Sequence, residues 1–353
     1  MCRVIVIFFT LLLFSSSCIM HDEEKSKEYI PIIGQQVDLV GDASVFKIHY
    51  ACDSLIITSG FSQTHKLTAY QFNSDTCFSY DFLRIGNGPG EVHSVNVKSH
   101  SDTLYVLSYT PIGISEFVSI PLNAIKNADA WKRKSAERAL LVGNDFDVLH
   151  DGRYLFLGGD FNTRNLIMKF DGVNGIYSPL EFWPDDKYNG SLISKQMIYV
   201  NSSLYAGGNK LLYASGEGQY AVILDTAAVG TNEMIIYDEF PKYKMSEDGI
   251  NWRRLSGCKL GLYACVTDYL IYLAPIESKI VNGRYVPDNY NGYPPYFVDE
   301  IDVYNWEGEY MYTYIVDTPL GNFYVNSDED CLYTLTVDLE TMASKIMKYD
   351  LWQ

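Results

Sequence analysis

One short pattern recurs along this chain at near-regular steps, and it constrains the fold more than any other feature. Each copy is an Asp or Asn that leads within a few residues into an apolar run rich in Leu, Ile and Tyr. Asp and Asn side chains bond to nearby backbone and tolerate left-handed dihedral angles, so each copy predicts a tight turn between two strands. The copies lie 49, 49, 58, 59 and 62 residues apart, at Asp53, Asp102, Asp151, Asn209, Asp268 and Asp330.

Further apolar runs follow these predicted turns, for example residues 67–72 and 78–84 after Asp53. Units of four antiparallel strands, repeated at about 50–60 residues, are typical of a β-propeller. The sequence therefore predicts an all-β fold: a six-bladed β-propeller of four-stranded antiparallel blades. The alternative is a β-sandwich in which the turns recur by accident.

The end of the chain predicts how the ring of blades closes. The sixth unit has candidate strands near residues 323–326, 332–337 and 345–349, and the sequence stops at Gln353 before a fourth. An open ring exposes unpaired strand edges, which propellers avoid. We therefore expect an N-terminal strand, Val37–Val40, to supply the missing outermost strand.

The N-terminal residues predict export. An apolar run at residues 4–14 follows Arg3, and at about 1.5 Å per residue it is too short to cross a bilayer of about 30 Å. Small residues then precede Cys18 in the sequence Ser15-Ser16-Ser17-Cys18. This stretch resembles a bacterial lipobox, in which Cys18 is lipidated, and ordinary secretory cleavage after Ser17 is the alternative.

These features divide the chain into three predicted parts: a signal peptide at 1–17, a lipid anchor and tether at 18–34, and the propeller at 35–353. The acidic run Asp22-Glu23-Glu24 resembles the export signal of Bacteroidetes surface lipoproteins. We expect an outer-membrane lipoprotein, on either the cell surface or the periplasmic face. Membrane attachment is expected through the lipid anchor alone.

The formal net charge of −17 limits the partners of this protein. Nucleic-acid binding requires a basic surface that neutralises phosphates, so nucleic acid is excluded as a partner. Hydrophobic residues make up 47% of the chain, which is enough for a packed core. We expect a single propeller that is monomeric.

The sequence Ile85-Gly86-Asn87-Gly88-Pro89-Gly90-Glu91 follows the predicted fourth strand of the first blade. It resembles the Gly-x-Gly-Pro-Gly-Glu signature of the TolB-like six-bladed β-propeller lipoprotein family of Bacteroidetes. The stretches 303–308 and 330–333 are similar to that family too. The resemblance implies the propeller fold, and it implies no particular activity because most members have none established. We expect the motif itself, Gly86, Gly88, Pro89, Gly90 and Glu91, to form a structural turn.

Strand alternation predicts which loops share a face. The loops that connect successive blades lie on one face, together with the loops between second and third strands, and this face collects the longest insertions. Exposed aromatic side chains with polar tips suit sugar rings or a partner protein, and Arg suits a carboxylate or sulfate. The candidate ligand-binding residues on this loop-rich face are Trp252, Arg253, Arg254, Tyr285, Tyr290, Tyr293 and Tyr296. The alternative is that these side chains only fold the long loops onto the blades.

No motif in the sequence predicts catalysis. The chain has no HExxH, no GxSxG and no CxxC sequence, so we assign no catalytic residue, no metal site and no cofactor. We expect a non-catalytic envelope protein that binds a glycan, a peptide or a partner protein on the loop-rich face. The alternative is a glycan-active hydrolase or lyase with its site at the mouth of the propeller channel.

Overall fold

The computed structural model describes residues 27–40, 44–73, 76–86, 88, 90–110, 113–135, 145–158, 164–171, 176–187, 191–226, 233–245, 252–282, 284–287 and 292–351. Six four-stranded antiparallel sheets stand in a ring, which confirms the predicted six-bladed β-propeller. Two strands precede the first blade, β1 (Tyr29–Ile32) and β2 (Gln35–Val37). Residues 1–26, which include Cys18, the predicted signal peptide and the first part of the predicted anchor and tether, lie outside the described residues.

The first three blades follow one another along the chain. Blade 1 is formed by β3 (Val45–Cys52), β4 (Leu55–Gly60), β5 (His65–Asn73) and β6 (Thr76–Arg84). Blade 2 is formed by β7 (Ser94–His100), β8 (Thr103–Thr110), β9 (Gly113–Pro121) and β10 (Lys132–Ser135), with two 3-10 turns, Leu122–Ala124 and Ala128–Ala130, before β10. Blade 3 is formed by β11 (Asp145–Val148), β12 (Tyr154–Leu157), β13 (Ile167–Asp171) and β14 (Ile176–Leu180).

The last three blades carry the insertions. The helix α1 (Leu192–Tyr199) leads into blade 4, which is formed by β15 (Ser202–Gly207), β16 (Lys210–Ser215), β17 (Tyr220–Asp225) and β18 (Glu233–Asp238). A hairpin of β19 (Tyr243–Met245) and β20 (Trp252–Arg254) connects blade 4 to blade 5. Blade 5 contains β21 (Leu262–Val266), β22 (Leu270–Pro275), a hairpin of β23 (Ser278–Val281) and β24 (Arg284–Pro287), then β25 (Val298–Asn305) and β26 (Tyr310–Leu320). Blade 6 contains β27 (Asn322–Val325), β28 (Cys331–Val337) and β29 (Ser344–Asp350).

The N-terminal segment closes the ring, as predicted, but at a different position. The strand that pairs with β29 is β2, Gln35–Val37, rather than Val37–Val40. Val37 lies opposite the buried Ile346 and is the one residue that the predicted and observed strands share. An outermost strand needs only one side chain that faces the core, so polar residues on the N-terminal side of Val37 form the ladder.

The segment just before β2 also belongs to the propeller. The strand β1 lies within the range 18–34 predicted as a tether, yet it pairs in parallel with β26 as a fifth strand of blade 5. Ile30 and Ile32, two residues apart and therefore on one face of the strand, pack against the core of blades 5 and 6. Alternating apolar residues around Pro31 are sufficient for an edge strand, where proline is tolerated.

The core lies between the blades rather than inside any one of them. Each sheet buries one face against the next, and the innermost strands contact one another around a closed ring in the order β3, β7, β11, β15, β21, β27. These six strands run in the same direction and surround a central channel. The repeat turns predicted from Asp53, Asp102, Asp151, Asn209, Asp268 and Asp330 connect the first and second strands of each blade, on the face opposite the long insertions.

Candidate functional site

Three of the predicted ligand-binding residues come together on the loop-rich face. Arg254 forms an ion pair with the buried Glu217 and donates a hydrogen bond from Nη1 to the Tyr285 hydroxyl at 2.7 Å. The guanidinium lies 5.9 Å from the ring centroid of Trp252 and 6.0 Å from that of Tyr285. Burial lowers the pKa of Arg254, but Glu217 raises it and the net direction is upward. The side chain of Arg254 is therefore occupied by contacts within the protein.

The other predicted residues lie elsewhere on the loops. Arg253 is exposed, opposite Lys244 in the β19–β20 hairpin. Tyr293 stacks on Phe297 with a centroid separation of 5.8 Å, and Tyr296 contacts the same ring at 5.4 Å while remaining 47% exposed. Tyr290 lies outside the described residues.

The glycine motif forms a closed turn between blades 1 and 2. The carboxylate of Glu91 accepts a hydrogen bond from the Gly88 amide at 2.8 Å, and the Glu91 amide donates to the Gly88 carbonyl at 3.0 Å. A Cβ on Gly86 would lie 1.9 Å from the Glu91 carboxylate, so the turn requires glycine there. Pro89 lies outside the described residues.

A concave site that no sequence motif indicates lies in the central channel. It is a cavity of about 330 Å³ that runs from the middle of the channel to the face carrying the repeat turns. All six innermost strands contribute to its wall. Its polar lining includes Lys47, His49, Tyr50, Lys98, Ser99, His100, Tyr105, Asp147, His150, Tyr205, Asp268 and Tyr324.

Side chains hold the inner strands of neighbouring blades together. These strands do not form a ladder with one another, so their inward-facing amides need other partners. The Asp145 Oδ2 accepts from the Leu204 amide at 2.9 Å, and Asp147 Oδ2 accepts from the Ala206 amide at 2.7 Å. In blade 6, Asn322 Oδ1 accepts from the Ile48 amide at 2.9 Å. Both carboxylates of β11 therefore have structural partners.

The ammonium group of Lys98 is fully matched. It lies 2.9 Å from Asp145 Oδ2, donates to the Leu204 carbonyl at 2.6 Å and sits 3.8 Å above the ring of Tyr205. Burial lowers the pKa of Lys98, but Asp145, Tyr205 and Asp147 together raise it by more, so the net direction is upward and Lys98 remains charged. Burial also raises the pKa of Tyr205 to about 12, so its phenol is neutral.

His100 forms an ion pair with Asp147 near the mouth of the cavity. The ring Nε2 contacts Asp147 Oδ1, and the His100 side chain is 30% exposed whereas that of Asp147 is buried. Burial lowers the pKa of His100, but Asp147 raises it and the net direction is upward. The pKa of Asp147 is lowered for the reciprocal reason, against an opposing effect of burial.

Lys47 is different from the other cations of the channel. Among the described residues its side chain forms no hydrogen bond and no ion pair within 4.0 Å, although it lines the cavity. Burial lowers the pKa of Lys47, and the nearby charge of Lys98 lowers it further, with Asp145 opposing both.

His49 lies beside Lys47 and is neutral. Its Nε2 contacts Ser59 Oγ at 3.0 Å, whereas its buried Nδ1 meets hydrogen-bond geometry with no atom of the described residues, although the Val97 backbone is close. Burial lowers the pKa of His49 well below its usual value, and Lys47 and Lys98 add to this.

A break in the ladder of blade 1 places both side chains. The pairing of β3 with β4 shifts between Val45 and Lys47 and again between Ile48 and Tyr50, so His49 is an extra residue with no partner directly opposite. Residues 47–50 all line the cavity, as consecutive residues of β7 and β27 do. Bulges are frequent near functional sites.

The sequence contains a signal for this site that spacing rules missed. A motif such as HExxH requires close spacing along the chain, which His49, His100 and His150 lack. They lie about one repeat apart, just before successive Asp turns, and the ring brings them to one cavity from blades 1, 2 and 3.

Among the described residues, no group of three or more His, Cys, Asp or Glu side chains is arranged to hold a metal ion. None of the helices in the described part of the chain has the length and apolar character needed to cross a bilayer.

Solved structures are similar to this chain at low sequence identity. A Bacteroides fragilis NCTC 9343 protein described as exported is 11% identical over 91% of this chain and 98% of that one, with a TM-score of 0.49. A luciferin-regenerating enzyme is 9% identical over 91% and 96% of the two chains, with a TM-score of 0.44. The structure of U3-55K is 9% identical over 88% and 99%, with a TM-score of 0.45. No protein-family model and no curated protein matches this sequence.

Proposed function

We propose that this protein binds a small polar ligand in its central channel. The observation that carries the proposal is Lys47, a cation in the wall of the channel cavity whose side chain has no partner among the described residues. A partly buried charge without a compensating group is unfavourable, so a ligand that supplies the missing contact explains why the residue is there. Lys47 and His49 lie at breaks in the ladder of blade 1, and bulges are frequent near functional sites, which supports the same interpretation.

The size and lining of the cavity favour a small molecule over a polymer. A volume of about 330 Å³ is at the lower end of the range of about 300–1,000 Å³ for small-ligand sites. Tyr50, Tyr105, Tyr205 and Tyr324 contribute aromatic surface with polar tips, which suits a sugar ring.

Ligand binding is tested by filling the channel. Ala264 lines the cavity from β21, so Ala264→Phe should remove the binding of any monosaccharide detected by ligand-observed NMR. Ala128→Phe, on the exposed 3-10 turn of blade 2, is the matched control and should leave binding intact. The proposal fails if no member of a panel of glucose, galactose, N-acetylglucosamine and galacturonate binds, or if binding survives Ala264→Phe.

The loop-rich face keeps a second role in this proposal. Arg254 contacts Trp252, Tyr285 and Glu217, so we assign this group to holding the loops. The exposed Arg253 and Tyr296 are the better candidates for contact with a glycan or a partner protein.

We also propose that the protein is an exported lipoprotein of the TolB-like propeller family, anchored in the outer membrane through Cys18. The apolar run at 4–14, the small residues before Cys18 and the Gly86–Glu91 motif support this. Replacing Cys18 with Ala should abolish labelling by radioactive palmitate and release the protein from the membrane fraction. Unchanged labelling would exclude Cys18 as the site.

A lyase is the second candidate, and one observation favours it. Lys47 lines the cavity without a side-chain partner among the described residues and its pKa is lowered, so its amine is a candidate to accept a proton from the carbon next to a carboxylate. A hydrolase is less favoured, because Asp145 and Asp147 both bond to backbone amides and to cations. Ultraviolet absorbance from an unsaturated product, formed from a polyuronate and lost in Lys47→Met, would support the lyase.

A further inference from the structure

We infer that the channel ligand is a sugar acid whose carboxylate is bound by Lys47. This inference rests on the proposed function and specifies the class of its ligand. The observation behind it is that the Lys47 ammonium has no ion-pair partner among the described residues, whereas Lys98 and His100 are paired with Asp145 and Asp147.

Lys47 differs from the other cations of the channel interior in having no side-chain partner among the described residues. Lys98 is paired with Asp145 at 2.9 Å, and His100 is paired with Asp147. His49 adds no charge because it is neutral. Asp268, in the repeat turn of blade 5, also lines the cavity and acts on His100. In the described part of the chain, no carboxylate lies within 4.0 Å of the Lys47 ammonium. An anionic group of matching size is the simplest complement to it.

The neighbours of Lys47 explain why an anion fits better than a neutral ligand. The charged groups that act on its ammonium are Lys98 on β7, which repels it, and Asp145 on β11, which attracts it but is already bound to Lys98 and the Leu204 amide. A ligand carboxylate would offset both the repulsion and the loss of solvation. A hydroxyl would offset only the missing hydrogen bond.

The rest of the wall favours a sugar as the carrier of that carboxylate. Ser99 Oγ lies 3.1 Å from the Tyr324 hydroxyl and donates to the His49 carbonyl at 3.0 Å, so hydroxyl groups already line the cavity next to Lys47. His100, with its raised pKa, adds a donor at the mouth. Aromatic rings and hydroxyl groups beside a cation suit a ring that carries several hydroxyls and one carboxylate.

Binding of such a ligand should be coupled to protonation. In the free protein the pKa of Lys47 is lowered, and a carboxylate beside it raises that pKa, so binding takes up a proton at a pH between the pKa of the free amine and that of the complex. Affinity should therefore be greatest at the lower end of the pH range in which the protein is stable. It should fall as the pH rises from the pKa of the free amine towards that of the complex.

The test is isothermal titration calorimetry of the purified protein with galacturonate, galactose and acetate. We expect galacturonate to bind at least about tenfold more tightly than galactose, the scale of one charge-assisted hydrogen bond, and more tightly than acetate. At an alkaline pH at which the free amine has lost part of its charge, the binding enthalpy should differ between buffers of different ionisation enthalpy, because a proton is then taken up on binding. Equal affinities for galacturonate and galactose, or for galacturonate and acetate, would overturn the inference.

Two variants separate this inference from a structural role of Lys47. Lys47→Met keeps the length of the side chain and should abolish the preference for galacturonate and the buffer dependence, with a melting temperature equal to or above that of the parent. Lys126→Met, on the exposed surface of blade 2, should change neither. A lower melting temperature in Lys47→Met with the galacturonate preference retained would assign Lys47 to stability and overturn the inference.

The outcomes for the two proposals are distinguishable. If neither sugar binds, the proposed function itself fails. If galactose binds as tightly as galacturonate and Ala264→Phe removes both, the channel is a binding site for neutral sugars and only the carboxylate inference fails.

Discussion

The carboxylate of Asp147 joins three blades through His100 in one direction and the Ala206 amide in the other. Its Oδ1 contacts His100 Nε2 in blade 2, and its Oδ2 accepts from Ala206 in blade 4 at 2.7 Å. One buried side chain thus completes contacts that the inner strands cannot make with one another. The same arrangement ties the stability of the ring to pH.

The His100–Asp147 pair should make the stability fall in alkaline solution. Because the pKa of His100 is raised on folding, its contribution is fully present below the unfolded pKa and is lost as the pH rises through the folded one. The contribution of Asp147, whose pKa is lowered, is present above its unfolded pKa and is lost in acid. Urea unfolding from about pH 5 to about pH 9 should show the alkaline loss in the parent and not in His100→Gln. His65→Gln, away from the channel, should behave as the parent does, and an alkaline loss that persists in His100→Gln would exclude this pair as its cause.

Replacing Arg254 should lower the free energy of unfolding much more than replacing its neighbour Arg253. Arg254→Ala leaves the buried carboxylate of Glu217 without its cation, which should lower the free energy of unfolding by about 1–3 kcal/mol. Arg253→Ala removes an exposed side chain and should change it by less than about 0.5 kcal/mol. Chemical denaturation of both variants checks this, and equal losses would show that the Glu217 ion pair does not stabilise the loop-rich face.

Gly207 and Gly208 form a second matched pair. A Cβ on Gly207 would lie 2.1 Å from the buried ring of Trp306, so Gly207→Ala should cost about 1–3 kcal/mol or more through overpacking. Gly208 has a φ of +59° but open space around it, so Gly208→Ala should cost only about 1 kcal/mol of backbone strain. Thermal unfolding should rank the two variants in this order, and the reverse order would contradict the contact with Trp306.

Stepwise truncation should distinguish the contributions of β1 and β2 to the stability of the ring. A chain that begins at Gly34 lacks β1 and the burial of Ile30 and Ile32, which should cost about 1–3 kcal/mol while the ring stays closed. A chain that begins at Val40 also lacks β2, so blade 6 has an exposed edge and the protein should aggregate. Size-exclusion chromatography and thermal unfolding against a chain that begins at Lys27 measure both effects. A monomeric and equally stable chain from Val40 would show that β2 is not needed to close the ring.

The repeat turns made the blade number predictable, because an Asp or Asn turn depends on local backbone chemistry that the sequence shows directly. The edge strands are harder to locate in the sequence. Val37–Val40 is more apolar than Gln35–Val37, whereas an outermost strand pairs through its backbone and needs only Val37 on the core side. Ile30 and Ile32 were overlooked because the polar residues around them indicated a tether.

The channel site could not be predicted because its geometry depends on the ring. Lys47 and Lys98 are about fifty residues apart in sequence, and their common cavity exists only once blades 1 and 2 stand side by side. The bulge at His49 is set by the pairing of two strands rather than by any residue type in the sequence. Exposed aromatics on long loops are more visible in a sequence, but their contacts, as with Arg254 and Glu217, appear only in the folded protein.

The path of the N-terminal segment has a mechanical consequence. The chain runs along the outer edge of blade 5 as β1, then along the outer edge of blade 6 as β2, before it enters blade 1. Tension applied at the N-terminus therefore reaches the four paired residues of β1 and the contact between Lys27 and Asp302 first. The pairing of β2 with β29, which closes the ring, follows them along the chain, so a pulling force must separate β1 from blade 5 before it can open the propeller.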